Sequence, residues 1–600
     1  MNQKLMKYRK DIQILRGFAV IAVVGYHLKI PGFKNGFLGV DVFFVISGYL
    51  MAAIYQTGQT RLFLVRRAKR LLPAFIVTIL GTALVSFFLV VPSDLRQVID
   101  QSKFSLALIP NLYFWSQDSY FASSSFNPLL HLWSLGVEFQ FYLFLPFLVF
   151  AFSKWRYLKY FVFLGSLFSC FLILTISPKT SFFLIPLRFW EFAGGIIAFG
   201  LLKSETFSWH RNYTQIFGIL LTILSAFFFL FFPINGFSTS IVFGHPGFSS
   251  LLATLLTVVY LISVPNIRFS SWLESIGKYS YSIYLVHFPL IVLVQYRQFS
   301  GTILNSQPPL YVFTQIVLIA FLAKLMYRFV EEPMRMKELQ IRSWITLLLA
   351  IFLAVSLLPE IKSLRLTEQE NKIVAARYDR SEYRCGKVFR VFHPTSKICV
   401  IGANSHDQRI LLLGNSYADA IKRSFVKAAN ENGKTVLFWV QNDPLMNNTN
   451  DVKEIVKQVA VNGISEVYFH HSISAVNEDA LLDFIERIQA KGVSVTFFGP
   501  VPTWEKSVPE EVWAYRNSIY KSPFLNQSIE EFTKRNSPML IVTKSKLPKG
   551  VKFINLGPTL CIPLCKYQDT EGVLYYLDSG HLTLSGARVL YPVFLQATRS

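Results

Sequence analysis

Apolar residues come in blocks of about twenty through the first part of the chain, and blocks of that length cross ~30 Å of hydrocarbon as helices. They fall at 13–30, 36–56, 73–92, 128–151, 159–175, 183–201, 214–233, 248–264, 279–296, 310–330 and 344–360, which predicts about eleven membrane helices. A further run, Phe104 to Trp115, is short and holds Pro110, so it reads as re-entrant or interfacial rather than spanning. Beyond a polar linker at 361–384 the period changes. Strand-like runs at Arg409–Gly414, 435–440, 465–470 and 493–498 alternate with helical stretches, the pattern of a doubly wound α/β domain. The expected fold is a polytopic α-helical membrane bundle over 1–343, an additional membrane helix and linker over 344–384, and an α/β domain over 385–600.

Basic residues in the short loops set the orientation. With the N-terminus inside, the cytoplasmic segments hold clusters such as Lys4, Lys7, Arg9 and Lys10, then Arg61, Arg66, Arg67, Lys69 and Arg70. The opposite loops hold only Lys34, Arg96, Lys103, Lys179 and Arg297. An odd helix count then carries everything after Leu364 to the outside. The basic start ahead of an apolar run resembles a signal peptide, but no small-residue cleavage site follows Tyr26, so a retained first helix is expected. The formal charge of +23 is in part this topological bias and calls for no nucleic-acid partner.

Cysteine usage fits the same topology. Cys170 stands alone in a membrane helix as a small apolar residue, whereas Cys385, Cys399, Cys561 and Cys565 all lie in the outer part, where disulfides persist. Four cysteines allow three pairings. The local pairs Cys385–Cys399 and Cys561–Cys565 are favoured, and a metal site is disfavoured because no histidine lies at ligand spacing among them.

Ionisable groups inside membrane helices are costly and mark function. Arg16 and His27 are about three turns apart, so they share a face of the first helix, Arg16 toward the cytoplasm and His27 in the outer half. Asp41 opens the second helix at the outer side. His131 and Glu138 lie two turns apart in the fourth, with Ser134 and Tyr142 close by. His27, Asp41, His131 and Glu138 thus converge from separate helices on one membrane depth, as a catalytic or proton-transfer site would. Arg67 and Arg70 share a helical face on the cytoplasmic side and suit phosphates, though such a cluster also anchors topology. The segments Arg188-Phe-Trp-Glu191 and Ser280-Tyr-Ser-Ile-Tyr284-Leu-Val-His287 add polar groups whose roles stay open.

These residues carry a resemblance to the acyltransferase family 3 membrane enzymes. The family's arginine, ten residues, histidine spacing is met by Arg16 and His27, and its Gly-Val-Asp-Phe-Phe-Val-x-Ser-Gly element by 39–48, with Val42 between Asp41 and Phe43. Its paired arginines are met by Arg67 and Arg70, and its His-x-Trp-Ser-Leu-x-x-Glu-x-Gln-x-Tyr run by His131 to Tyr142. The resemblance covers about residues 8–360. It implies ten family helices plus the run at 344–360, and transfer of an acyl group, commonly acetyl, from cytoplasmic acetyl-CoA to an extracytoplasmic glycan such as lipopolysaccharide O-antigen or peptidoglycan. No permanently bound cofactor is implied. The enzyme would sit in a bacterial inner membrane with its C-terminal domain periplasmic.

In the outer half, Ser416 stands where the strand 409–414 turns into a helix, whose N-terminal N–H groups suit an oxyanion. Asp578 and His581, three residues apart near the end, complete a serine–histidine–aspartate set. This arrangement resembles the SGNH hydrolases over about 400–600, with Asn415 where that family usually has aspartate. A lipid-linked sugar transporter also places charges in the membrane, but it has no need of such a set. The outer domain acting as a glycan acetyl-esterase is the other alternative, because transferase and hydrolase share one triad.

Overall fold

The computed structural model describes residues 9–117, 125–155, 157–203, 234, 238–263, 271–336, 341–382, 384–386, 389, 393, 396–404, 407–440, 449–471, 478–517, 527–536 and 547–599. It divides into two compact units, Met1–Lys362 and Ser363–Ser600.

The first unit is helical: α1 Lys10–His27, α2 Gly39–Ile54, α3 Thr60–Leu89, α4 Pro92–Leu106, α5 Pro110–Ser116, α6 Trp133–Lys154, α7 Leu158–Leu174, α8 Ile185–Lys203, α9 Phe248–Ser263, α10 Ser271–Val294, α11 Pro309–Met326 and α12 Ile341–Ser363. Among the described residues six helical stretches are long and apolar enough to cross a membrane, and this is a membrane protein. Helices occupy the predicted runs other than 214–233, which lies outside the described residues, while six of the expected eleven spans meet the length and hydropathy of a crossing helix among the described residues. Boundaries differ where polar residues extend a helix past its apolar block. Thus α3 begins at Thr60, so Arg66, Arg67 and Arg70 ride on continuous helix, and α10 begins at Ser271. The run 104–115 breaks between α4 and α5, where Leu108 takes a positive φ of 62°. The helix α12, set apart in sequence with the linker, packs with the first unit: Val355 is buried in the main apolar cluster, and Lys362 Nζ donates to the Phe87 carbonyl at 2.6 Å.

Two glycine crossings fix the bundle where the chemistry sits. A Cβ on Gly17 would collide with the Leu273 carbonyl, and one on Gly277 with the Gln13 carbonyl, so α1 and α10 touch backbone to backbone. Gly48 of α2 and Gly195 of α8 make the same approach, against Phe192 and Val45 carbonyls. Without a hydrophobic drive between helices in lipid, small residues of this kind let helices associate by close packing. The first crossing runs His27 alongside His287, and the second runs Asp41 alongside Arg188.

The second unit is built on a six-stranded sheet: β1 Ile398–Ile401, β2 Gln408–Gly414, β3 Lys434–Val440, β4 Ile464–His470, β5 Ser494–Phe498 and β6 Lys552–Ile554, in the order β1-β3-β2-β4-β5-β6. All neighbours are parallel except β1, which runs antiparallel to β3. Side chains alternate between the faces. Leu411, Leu413, Val467, Phe469 and Phe497 meet Val452, Ile455, Phe484 and Ile485 from helices α13 Thr449–Val461 and α14 Glu478–Gln489. On the other face Tyr468 and Phe498 meet Phe425 and Phe594 in tilted and edge-to-face contacts, ring centroids 5.0–5.9 Å apart. Helices on both faces explain why β2 is buried from Ile410 to Gly414 without alternation. Disulfides join Cys385 to Cys399 and Cys561 to Cys565, and Cys170 is a buried free thiol.

Candidate functional site

The convergence expected in the membrane unit resolves into three separate clusters. His27, the last residue of α1, faces α10, where His287 Nε2 lies 3.2 Å from His27 Nδ1. His131 joins them: its ring centroid is 5.5 Å from that of His287, and its Nε2 lies 3.1 Å from the Leu285 carbonyl. His131 lies in the 3-10 turn Leu130–Leu132 that runs directly into helix α6 at Trp133, and its ring meets the other two histidines while Glu138, further along α6, meets Ser47 and Tyr142.

Asp41 sits in a second cluster. Fully buried, it accepts from Arg188 Nη2 at 3.2 Å, and the same nitrogen lies 3.2 Å from Glu191. His245 Nε2 is 3.8 Å from the other Asp41 oxygen, while its Nδ1 lies 2.9 Å from Ser250 Oγ. The Arg188 guanidinium stands 5.5–5.8 Å from the ring centroids of Phe44, Trp133 and Phe182, so aromatic faces shield its charge.

Glu138 belongs to the third cluster, accepting short hydrogen bonds from Ser47 and Tyr142. It lines a cavity of about 80 Å³ together with Arg16, Arg67, Arg70, Ser47 and Tyr284. Arg16 donates to Gln13 at 3.3 Å, and Arg67 Nε has no hydrogen-bond partner among the described residues. Arg16, Arg67 and Arg70 bring three guanidiniums to the cavity lining, and two carboxylates, Glu138 and Glu331, lie within electrostatic reach of Arg16. His245 was missed in sequence because it has no periodic or motif signal of its own, Ser47 was passed over although it closes the motif at 39–48, and Arg188, Glu191 and His287 had no role until their partners came into place.

In the second unit, Ser416 opens the helix Ser416–Glu431 directly after β2, with Asn415 as N-cap accepting from Tyr417 N at 3.1 Å. His581 Nε2 lies 2.7 Å from Ser416 Oγ, and His581 Nδ1 lies 2.7 Å from Asp578 Oδ2. The other Asp578 oxygen accepts from the Gly580 and His581 backbone N–H groups, each at 2.8 Å. An ionised carboxylate only accepts, so Nδ1 carries the proton and Nε2 is free to take the serine proton. Tyr417 packs its ring 4.6 Å from that of His581 and holds the imidazole in place.

Burial opposes ionisation of Asp578, but the His581 hydrogen bond and charge, with the two backbone donors, hold its carboxyl below the usual carboxylate range. Burial also works against an imidazolium at His581, yet Asp578 outweighs it and raises the histidine above 6.5. The base must be neutral, so turnover of a small acetyl ester by the full chain should rise with pH through a midpoint above 6.5. In Asp578→Asn the cause of the rise is gone, and the midpoint should move down while the rate falls. A wild-type midpoint at or below 6.5 in that pH–rate profile would contradict this assignment.

A membrane-spanning helical bundle joined to an α/β unit with an assembled serine–histidine–aspartate triad defines a two-domain membrane protein of acyl-transfer type. The chain belongs to the Acyl_transf_3 family, described as an acyltransferase domain, whose match covers residues 9–328, and residues 384–596 match the SGNH domain that is fused to such domains. It is 34% identical over 375 residues to a Staphylococcus aureus MSSA476 protein with a provisional O-acetyltransferase name, covering 57% of this chain and 59% of that protein. It is also 34% identical over 363 residues to O-acetyltransferase OatA of Staphylococcus aureus NCTC 8325, covering 55% of this chain and 58% of OatA. The chain thus matches less than two thirds of the length of these relatives. The solved periplasmic domain of a lipopolysaccharide acetyltransferase from Salmonella ser. Paratyphi A aligns with 38% of this chain and 96% of that one, at 17% identity and a TM-score of 0.28.

Proposed function

We propose that the protein is an O-acetyltransferase that takes acetyl from cytoplasmic acetyl-CoA and places it on hydroxyls of an extracytoplasmic glycan such as lipopolysaccharide O-antigen. The observation that carries this reading is the continuous Ser416–His581–Asp578 hydrogen-bond line in a chain of the acyltransferase family. The Arg16, Arg67 and Arg70 side chains lining the cavity support a donor with phosphates, the nucleotide part of CoA. His27 then acts as the base of the membrane step.

The outer step uses the triad. Ser416 Oγ forms an ester bond to the acyl carbon while the bond to the incoming carrier breaks, and His581 takes the hydroxyl proton and returns it to the leaving group. A glycan hydroxyl attacks the acyl-serine in the same way and regenerates Ser416. Mass spectrometry of the cell-surface polysaccharide with and without the protein tests the reading: a gain of acetyl per repeat supports transfer, and a loss of acetyl favours the esterase alternative. Topology has its own check. We infer an inner-membrane protein with a cytoplasmic N-terminus, so a reporter active only outside the cytoplasm should work after Ser600 and fail near Arg342. Activity at both positions would refute that orientation.

A further inference from the structure

The three histidines of the membrane unit determine one another's proton positions. His287 Nδ1 lies 2.6 Å from the Tyr284 carbonyl and 3.3 Å from the Ile283 carbonyl. Carbonyl oxygens only accept, so the His287 proton is on Nδ1. All three rings are buried, and the hydrogen bonds of His287 go to carbonyls and to His27, not to a carboxylate. An uncompensated imidazolium in such a place costs too much, so the rings are neutral. The Nε2 of neutral His287 is then a lone pair, and the 3.2 Å contact to His27 can be made only by His27 Nδ1–H donating to it. That leaves the His27 lone pair on Nε2.

We propose that His287 is the positioning residue for His27: a neutral imidazole that locks its tautomer and orientation so that Nε2 is the base. This deepens the membrane step proposed above and rests on it. In that step the acceptor oxygen bonds to the acyl carbon, the thioester C–S bond breaks, the hydroxyl proton moves to His27 Nε2, and the leaving sulfur takes it from there. The device does what Asp578 does for His581, without a charge. In the outer unit a carboxylate is tolerable because backbone N–H groups and partial solvent exposure support it. Between membrane helices a carboxylate partner would have to be desolvated, and an imidazole held by a backbone carbonyl fixes the same tautomer at lower cost. The carbonyl that holds His287 belongs to Tyr284, which also lines the arginine-walled cavity, so the relay is anchored to the wall of the proposed donor site. His131 is set the opposite way. Its Nε2 faces the Leu285 carbonyl, and its Nδ1 is buried with no partner among the described residues, so it does not compete for the His27 proton.

The test compares initial rates of glycan acetylation in cells, by mass spectrometry of isolated polysaccharide, for the full-length protein at equal membrane levels. His287→Leu removes the acceptor and should lower the rate about 100-fold, within the span attributed to a positioned base. His287→Gln places an amide oxygen near the former Nε2 and should recover at least tenfold over His287→Leu. A purely packing role predicts no such recovery, because leucine fills the site as well as glutamine does. Glutamine as poor as leucine, or a His287→Leu rate within twofold of wild type, overturns the proposal. His27→Ala in the same assay separates the two levels: acetylation retained there removes His27 as the base and His287 with it, whereas acetylation lost there and kept in His287→Leu removes only the positioning role.

Discussion

Replacing Ser416 with alanine is expected to cut glycan acetylation by about 10⁴-fold, with the protein at normal level in the membrane. The size follows from the geometry of the triad. Among the described residues Ser416 Oγ is the group aligned with His581 Nε2, at 2.7 Å, and Asp578 has already set the imidazole tautomer. Removing the hydroxyl leaves the base with nothing to activate but water. His581→Ala should cost about as much, because residues acting as one unit are not additive, and the double variant should be no worse than either. Mass spectrometry of the polysaccharide reads the outcome, and a band-shift or intact-mass measurement on the protein detects an acyl group trapped at Ser416 when deacylation is the slower step. Full acetylation by Ser416→Ala would separate the outer unit from the transfer reaction and leave it as a glycan-binding or editing module.

The second large effect concerns folding rather than chemistry. Arg188→Met should destabilise the membrane unit by about 3–5 kcal/mol, the usual cost of removing one partner from a buried ion cluster. Arg188, Asp41 and Glu191 are all fully buried, and the arginine is within 3.2 Å of both carboxylates. Without it two carboxyl groups remain in a low-dielectric site, with His245 the remaining basic side chain near Asp41 among the described residues. The measurement is the thermal unfolding midpoint of the purified full-length protein in detergent. Restoring neutrality in the combined variant Asp41→Asn, Glu191→Gln and Arg188→Met should recover most of the loss, since the penalty is uncompensated charge rather than lost packing. An Arg188→Met protein as stable as wild type would show that the cluster is hydrated or already neutral.

Much of this protein was legible in its sequence, for physical reasons that can be named. Helices that cross a bilayer must be apolar for about twenty residues, so α2, α6, α8 and α11 announce themselves, and the alternation of short strands and helices from Arg409 onward announces the sheet. The triad was legible because Ser416 must sit on the strand-to-helix turn after β2, and because Asp578 and His581 are close enough in sequence for one turn to bring the carboxylate to Nδ1. Short, weakly patterned elements were not legible: β1 and β6 are three or four residues at the edges of the sheet, where pairing rather than periodicity makes a strand.

What the sequence could not decide was which polar residues of the membrane unit belong together. Depth along a helix follows from 1.5 Å of rise per residue, and it placed His27, Asp41, His131 and Glu138 at similar levels. Azimuth and partner depend on how helices cross, and the crossings are set by the backbone contacts at Gly17 with Gly277 and at Gly48 with Gly195, which leave no hydropathy signal. Those contacts turn His27 toward His287, Asp41 toward Arg188, and Glu138 toward Ser47. The sequence by itself determined the two-part architecture and the outer triad, because both are written in local patterns. Only the tertiary structure decided that the membrane charges form three clusters and that an imidazole faces His27, because a residue's partner in a bundle is fixed by packing between segments 91 to 260 positions apart.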